Sequence, residues 1–126
     1  MEAGAANFIA NIRNAGWKNV PIVMYGMDYS SYTDVAHNSN AITQENAIAA
    51  GVTASGDARA YFVPVQTTAS PYIQGTGTVA APNGTGNADQ YINSASHLEV
   101  ETGPIYYGGR MAQDLMPIIQ NATWVN

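Results

Sequence analysis

Two short apolar segments most constrain the fold of this chain. Val20–Tyr25 and Ala58–Val65 are rich in β-branched and aromatic residues, which is typical of β-strands. Val20–Tyr25 is apolar on both faces, and such strands occur in parallel sheets that helices cover on both sides. Pro21 is compatible with a strand only at its beginning. The two segments therefore predict an α/β fold with parallel strands.

Helical patterns alternate with these strands. Apolar or helix-favouring residues recur near the 3.6-residue period in three segments: Ala3–Ala15, a segment from Ser39 or Asn40 to Ala50, and Pro104–Gln120. Gly16 follows the first segment as a helix stop. Pro117 lies late in the third segment and is expected to bend the helix or end its regular part.

The segments between these elements predict loops and an incomplete sheet. Gly26–Asn38 is polar and leaves the carboxyl end of the first strand, where ligand sites of open α/β sheets lie. Gln66–Asn87 is long and rich in Gly and Pro, which is typical of functional or interface loops. The 126 residues suffice for one domain. An open sheet usually has about five strands. Either some loop residues form extra strands, or a protein partner or further copies complete the sheet, which is the outcome we expect.

Charged residues are scarce, and this restricts the classes of partner. They make up 10% of the chain, against roughly 25% in an average soluble domain. The net charge is −5 and the four basic residues are scattered, which argues against nucleic-acid binding. No apolar run reaches the ~20 residues of a membrane span, and without cysteine there is no disulfide framework. A surface of uncharged polar residues, without a signal-peptide pattern, favours an extracellular or virion-associated protein.

The stretch Ile73–Tyr91 carries the most specific sequence signal. It reads I-Q-G-T-G-T-V from Ile73 and G-T-G-N-A-D-Q-Y up to Tyr91. This pattern resembles the loop before the last conserved block of SGNH/GDSL-type hydrolases. The two apolar segments and the first helix fall in the order that this family shows. The resemblance spans nearly the whole chain and corresponds to the C-terminal half of the family fold.

The resemblance implies the later half of a three-layer αβα sandwich and an ancestry in ester hydrolysis. In the family, a Ser nucleophile from a Gly-Asp-Ser block is activated by a His and an Asp. His97 stands at the position of the catalytic His, whereas Ser94 occupies the position of the Asp. The chain contains no Gly-Asp-Ser block. Catalysis by this chain alone is therefore not expected, although Asp89, Glu99 or Glu101 could orient His97 in place of the missing Asp.

Other polar residues have simpler explanations than catalysis. Ser55-Gly56-Asp57 contains the three residue types of the nucleophile block in a different order, but it falls between a helix and a strand. Four loop residues offer nitrogen and oxygen ligands for a metal: Asp28, Asp34, His37 and His97. Their spacing is not diagnostic, and a solvated loop is the stronger explanation. Neither a metal nor a cofactor is therefore expected.

Three functions are compatible with these residues. In the first, the chain is one portion of a hydrolase of acyl or acetyl esters, with glycans as candidate substrates. In the second, it is a non-catalytic structural or interaction protein of a virion or surface assembly. In the third, it is a carbohydrate-binding module, because aromatic rings among Asn and Gly suit sugar stacking. The candidate binding residues are Tyr29, Tyr32, Tyr72 and Tyr91.

Overall fold

A computed structural model of the chain describes residues 2–26, 35–68, 72 and 102–122, with the backbone alone in 35–41. The elements along these residues are α1 (Glu2–Asn14), β1 (Ile22–Tyr25), α2 (Val35–Ala54), β2 (Ala60–Val63) and α3 (Gly103–Asn121). Helices and strands alternate up to β2 within this part of the chain. The predicted mixed α/β class is confirmed.

The strands β1 and β2 lie side by side and parallel, as predicted. Ile22 pairs with Ala60 at one end of the register and Tyr25 pairs with Val63 at the other. Because α2 lies between the two strands in the chain, β1, α2 and β2 form a βαβ unit. Pro21 immediately precedes β1, where its missing N–H removes no ladder hydrogen bond. Within the described residues the sheet has two strands, each four residues long.

The best-defined core lies between one face of the sheet and the helices α1 and α2. Ile9 of α1, Ile22 of β1 and Val52 of α2 are buried and form one cluster. Met24 and Phe62 also pack against it. Met24 is two residues beyond Ile22, so both side chains point to the same face of the sheet. Burying a side chain of this size stabilises the fold by about 1.5–3 kcal/mol, which holds both helices against the sheet.

The first helix ends at a glycine, as predicted. Gly16 adopts a positive φ of 99°, a conformation that costs glycine no steric strain. The N–H of Trp17 donates to the Ile12 carbonyl at 3.3 Å, and the N–H of Gly16 donates to the Arg13 carbonyl at 3.1 Å. This pair of bonds is the Schellman motif, which satisfies carbonyls at a helix C-terminus.

The predicted boundaries of the second helix are wrong. The polar segment Gly26–Asn38 predicts a loop throughout, yet α2 already begins at Val35. It also continues beyond Ala50 to Ala54. Val52 is buried in the cluster with α1, so tertiary packing stabilises a turn that local periodicity does not reveal.

Pro117 does not end the third helix, which continues to Asn121. The side-chain amide of Asn121 donates to the Pro117 carbonyl at 2.8 Å. The N–H of Ala122 donates to the Ile118 carbonyl at 2.8 Å. These two bonds satisfy carbonyls of the last turn, so the segment after the proline remains hydrogen-bonded.

None of the helices in the described part of the chain has both the length and the apolar character needed to cross a membrane. This agrees with the absence of a long apolar run in the sequence.

Candidate functional site

A cleft beyond the carboxyl end of β2 is the candidate site. β1 and β2 end level with one another, since Tyr25 pairs with Val63 in the parallel register. Ligands of open parallel sheets bind at this edge. A cleft of about 190 Å³ opens there between the end of β2 and α3. Its lining residues are Phe62, Val63, Pro64, Thr68, Asp114 and Ile118.

The cleft combines an apolar wall with a carboxylate. Phe62, Pro64 and Ile118 provide the apolar part, and Thr68 and Asp114 provide the polar part. A carboxylate accepts hydrogen bonds, so Asp114 favours a ligand with hydroxyl or N–H groups. Whole drug-sized ligands occupy about 300–1,000 Å³. The smaller volume here fits one sugar ring or one acyl group.

Two tyrosine hydroxyls form hydrogen bonds with α3 at or near Asp114. The Tyr72 hydroxyl donates to the Asp114 carboxylate at 2.6 Å. The Tyr25 hydroxyl donates to the Met111 carbonyl of α3 at 3.2 Å. Burial raises the pKa of both phenols above the usual value, and the negative charge of Asp114 raises each further. Both hydroxyls therefore stay protonated and keep their donor role beyond neutral pH.

Tyr72 is fixed from several sides. Tyr72 is completely buried, with 0% of its surface exposed. The guanidinium carbon of Arg110 lies 4.6 Å from the centre of its ring, and the ring of Tyr107 meets it edge-on at 5.5 Å. The Tyr106 hydroxyl donates to the Tyr72 carbonyl at 2.6 Å. Tyr72 is therefore buried rather than presented for sugar stacking, and its hydroxyl is bound to Asp114.

Glu45 of α2 shapes the chain that leaves β2. It is 0% exposed. Its carboxylate accepts the N–H groups of three consecutive residues, at 3.2 Å from Val65, 2.9 Å from Gln66 and 2.8 Å from Thr67. The Thr67 hydroxyl adds a bond of 2.6 Å. These hydrogen bonds to the buried Glu45 carboxylate fix the backbone next to Thr68, which lines the cleft.

Gly26 makes room for the Glu45 carboxylate. A Cβ atom at Gly26 would overlap Glu45 Oε2, well inside van der Waals contact. The N–H of Gly26 donates to the Val63 carbonyl at 2.8 Å. The end of β1 and the end of β2 are thus held together at the edge where the cleft opens.

Most of the predicted site residues lie outside the described part of the chain. This applies to His97, to Ser94 at the expected Asp position, and to the whole stretch Ile73–Tyr91. It also applies to four residues of the other candidate sites: Asp28, Tyr29, Tyr32 and Asp34. His37 lies on α2, where the structure describes the backbone alone.

Ser55-Gly56-Asp57 lies at the opposite end of β2 and has a structural role. The Ser55 hydroxyl donates to the Val52 carbonyl at 2.6 Å. Gly56 has a φ of 63° and the segment turns the chain from α2 into β2. Asp57 is paired with Arg13 at 2.5 Å. These contacts give all three residues a structural role, so a nucleophilic role is not needed to explain them.

The sequence patterns did not predict three residues of the site: Glu45, Arg110 and Asp114. Asp114 follows Arg110 by four residues on α3, which places both on one side of the helix. In a chain with only 13 Asp, Glu, Lys and Arg residues, a charged pair on an otherwise uncharged helix was the signal that could have indicated Arg110 and Asp114. No group of three or more His, Asp or Glu residues within the described ranges is arranged to hold a metal ion.

Comparison of the chain with known protein families, curated proteins and solved structures finds no match.

Proposed function

We propose that the chain is the later portion of an SGNH-type ester hydrolase and that the Asp114 cleft holds the sugar part of an esterified glycan. The observation that carries this proposal is the cleft at the carboxyl edge of two parallel strands, with one carboxylate against an apolar wall. A sugar ring offers a matching combination of hydroxyl groups and C–H faces. Acyl transfer to water would be the reaction.

The packing supports the three-layer sandwich that this proposal requires. Ile22 and Met24 pack toward α1 and α2 on one face. Tyr25, on the alternate face, donates a hydrogen bond to α3. Helices on opposite faces of a parallel pair are the arrangement of an αβα sandwich. The remaining strands would come from a partner or from further copies.

Nucleophilic catalysis would need a serine from another polypeptide segment, since the chain has no Gly-Asp-Ser block. His97 would be the base. We expect purified chain to hydrolyse p-nitrophenyl acetate no faster than the background rate. Steady hydrolysis that is lost on His97→Ala would contradict the requirement for a second segment.

Binding at the cleft is tested with an O-acetylated xylo-oligosaccharide and its deacetylated form, by isothermal titration calorimetry. We expect the acetylated form to bind, and Asp114→Asn to weaken it about tenfold, the effect of losing about 1.4 kcal/mol of a charge-assisted hydrogen bond. Glu2→Gln is the matched control, because it removes one negative charge from an exposed residue of α1. Equal weakening by both variants would contradict a role for Asp114.

A non-catalytic carbohydrate-binding module is the second candidate, and the same cleft favours it. The two candidates differ in the acyl group. A binding module would bind both oligosaccharides equally through Asp114, whereas the hydrolase fragment would prefer the acetylated one because the ester is the group on which a hydrolase acts.

A further inference from the structure

The carboxylate of Asp114 has hydrogen-bonding capacity left for a ligand in the cleft. Its Oδ2 accepts the Tyr72 hydroxyl at 2.6 Å. Within the described part of the chain its side chain makes no second hydrogen bond. A carboxylate has about four acceptor positions and, when ionised, nothing to donate. Asp114 therefore still accepts hydrogen bonds, chiefly through Oδ1, from a group bound in the cleft that it lines.

The chain that leaves β2 has no free backbone donor along residues 64–67. Pro64 lines the cleft and has no N–H. The N–H groups of the next three residues all donate to the buried Glu45 carboxylate. Consecutive N–H groups of this kind form binding sites for phosphate and other anions, and here an internal carboxylate already occupies them. A ligand group that only accepts hydrogen bonds finds no backbone partner along this segment.

No Lys or Arg side chain lines the cleft. All four such residues of the chain lie in its described part: Arg13, Lys18, Arg59 and Arg110. Arg13 binds Asp57, and Arg59 donates to the Asn19 carbonyl ahead of β1, at the opposite end of the strands. Lys18 lies there too, in the turn after α1. Arg110 lies over the Tyr72 ring and donates through Nη1 to the Tyr106 hydroxyl. The negative charge of the cleft therefore has no basic residue in its lining to neutralise it.

We infer that the Asp114 cleft selects an ammonium group, carried by an amino sugar with a free amine. The inference rests on the proposed function, which places a sugar ring in this cleft. An ammonium group offers three donors and no acceptor, so it matches a site with a carboxylate and without free backbone donors along residues 64–67. A sugar hydroxyl also donates to Asp114, but an ammonium group adds the attraction between opposite charges. An acidic sugar meets like charge instead.

Two tetrasaccharides that differ only in an amine and a hydroxyl test this selectivity. Each ring of the glucosamine tetramer carries an ammonium group where cellotetraose carries a hydroxyl. At pH 6 the amines are protonated, because comparable α-amino groups lose their proton at roughly pH 7.7–8.0. In isothermal titration calorimetry we expect the glucosamine tetramer to bind about tenfold more tightly, which corresponds to about 1.4 kcal/mol. Equal affinities would overturn the inference.

Asp114→Asn should abolish the preference, because the amide removes the charge. We expect this variant to weaken the glucosamine tetramer about a hundredfold and cellotetraose about tenfold, so that the two bind alike. The net charge of −5 attracts any cationic ligand, so Glu2→Gln is the control. It removes one charge from an exposed residue of α1 and should keep the preference. An equal loss of preference in both variants would overturn the assignment to the cleft.

Thr68→Lys is a second variant that does not remove the acceptor of the Tyr72 hydroxyl. Thr68 also lines the cleft, so the introduced ammonium group competes with the ligand for the Asp114 carboxylate. We expect the preference for the glucosamine tetramer to disappear. A preference that persists in this variant, with the fold verified by circular dichroism, would contradict the inference whether or not Asp114→Asn folds.

Two further ligands separate this inference from the proposed function. Tetralysine presents ammonium groups on a peptide, and binding as tight as that of the glucosamine tetramer would overturn the assignment to an amino sugar. The acetylated xylo-oligosaccharide reports on the proposed function alone. If it binds while the two tetrasaccharides bind equally, only the selection of an ammonium group is wrong. If none of the saccharides binds, the assignment of the cleft to a glycan fails as well.

Discussion

At the scale of single residues, carboxylates that accept hydrogen bonds organise the candidate site. Glu45 serves three backbone N–H groups and a hydroxyl, and Asp114 holds the Tyr72 phenol. A buried acceptor of this kind matters most when it is removed, because the donors then lie buried without a partner. The geometry of the cleft depends on these carboxylates as much as on apolar packing.

Glu45→Ala is expected to lower the free energy of unfolding by about 3 kcal/mol or more, because three N–H groups near the cleft lose their acceptor. Glu45→Gln keeps one carbonyl oxygen and should cost less. Urea denaturation followed by circular dichroism measures both. Asn46→Ala, at an exposed position of the same helix, should change stability by less than about 0.5 kcal/mol. A loss for Glu45→Ala no larger than that of the control would show that the carboxylate is dispensable.

At the scale of elements, α1 and α2 approach each other closely at a glycine. A Cβ atom at Gly51 would overlap the Glu2 carbonyl oxygen and lie 2.6 Å from the Ala5 Cβ. Both neighbours belong to α1. The helix backbone and a short side chain cannot move aside without shifting the whole helix, so Gly51 sets the distance between the two helices.

Gly51→Ala is therefore expected to destabilise the chain by about 1–3 kcal/mol through overpacking, despite the higher helix propensity of alanine. Gly4→Ala is the matched control, because nothing lies within 4 Å of a Cβ at Gly4 of α1. It should stabilise by up to about 1 kcal/mol. Opposite signs in urea denaturation would support the close approach, and a stabilising Gly51→Ala would refute it.

At the scale of the whole molecule, one ion pair joins elements that are distant in sequence. Arg13 of α1 binds both carboxylate oxygens of Asp57 between α2 and β2, at 2.5 and 3.2 Å. It also donates to the Trp17 and Val20 carbonyls ahead of β1. The hydrogen bond from Arg13 is the main reason that the pKa of Asp57 is lowered.

This lowered pKa predicts an acid-dependent stability. Asp57 binds its proton more weakly in the folded than in the unfolded chain, so its contribution is complete above the unfolded pKa of about 3.9. It is lost as the pH falls through the folded pKa. Asp57→Asn should cost about 2 kcal/mol at pH 6, and this difference should shrink below pH 4. A difference that is constant from pH 6 to pH 3, in urea denaturation, would contradict the ion pair.

Much of the fold followed from local patterns. The two apolar segments predicted parallel strands, and Gly16 predicted the end of α1, because strand and helix periods and glycine turns are properties of neighbouring residues. The length of α2 did not follow, since its last turn is stabilised by contacts with α1. The burial of Glu45 could not be predicted from the sequence either, because a carboxylate interrupts the apolar pattern that marks the core-facing side of a helix.

The sequence by itself determined the α/β class, the order of the elements and the parallel pairing, since these depend on residue spacing along the chain. It also supplied the motif from Ile73 to Tyr91 and the position of His97. Only the tertiary structure decided that Asp114 faces a cleft and that Tyr72 is buried beneath Arg110. Such placements depend on which faces of distant elements meet, and no local period encodes that.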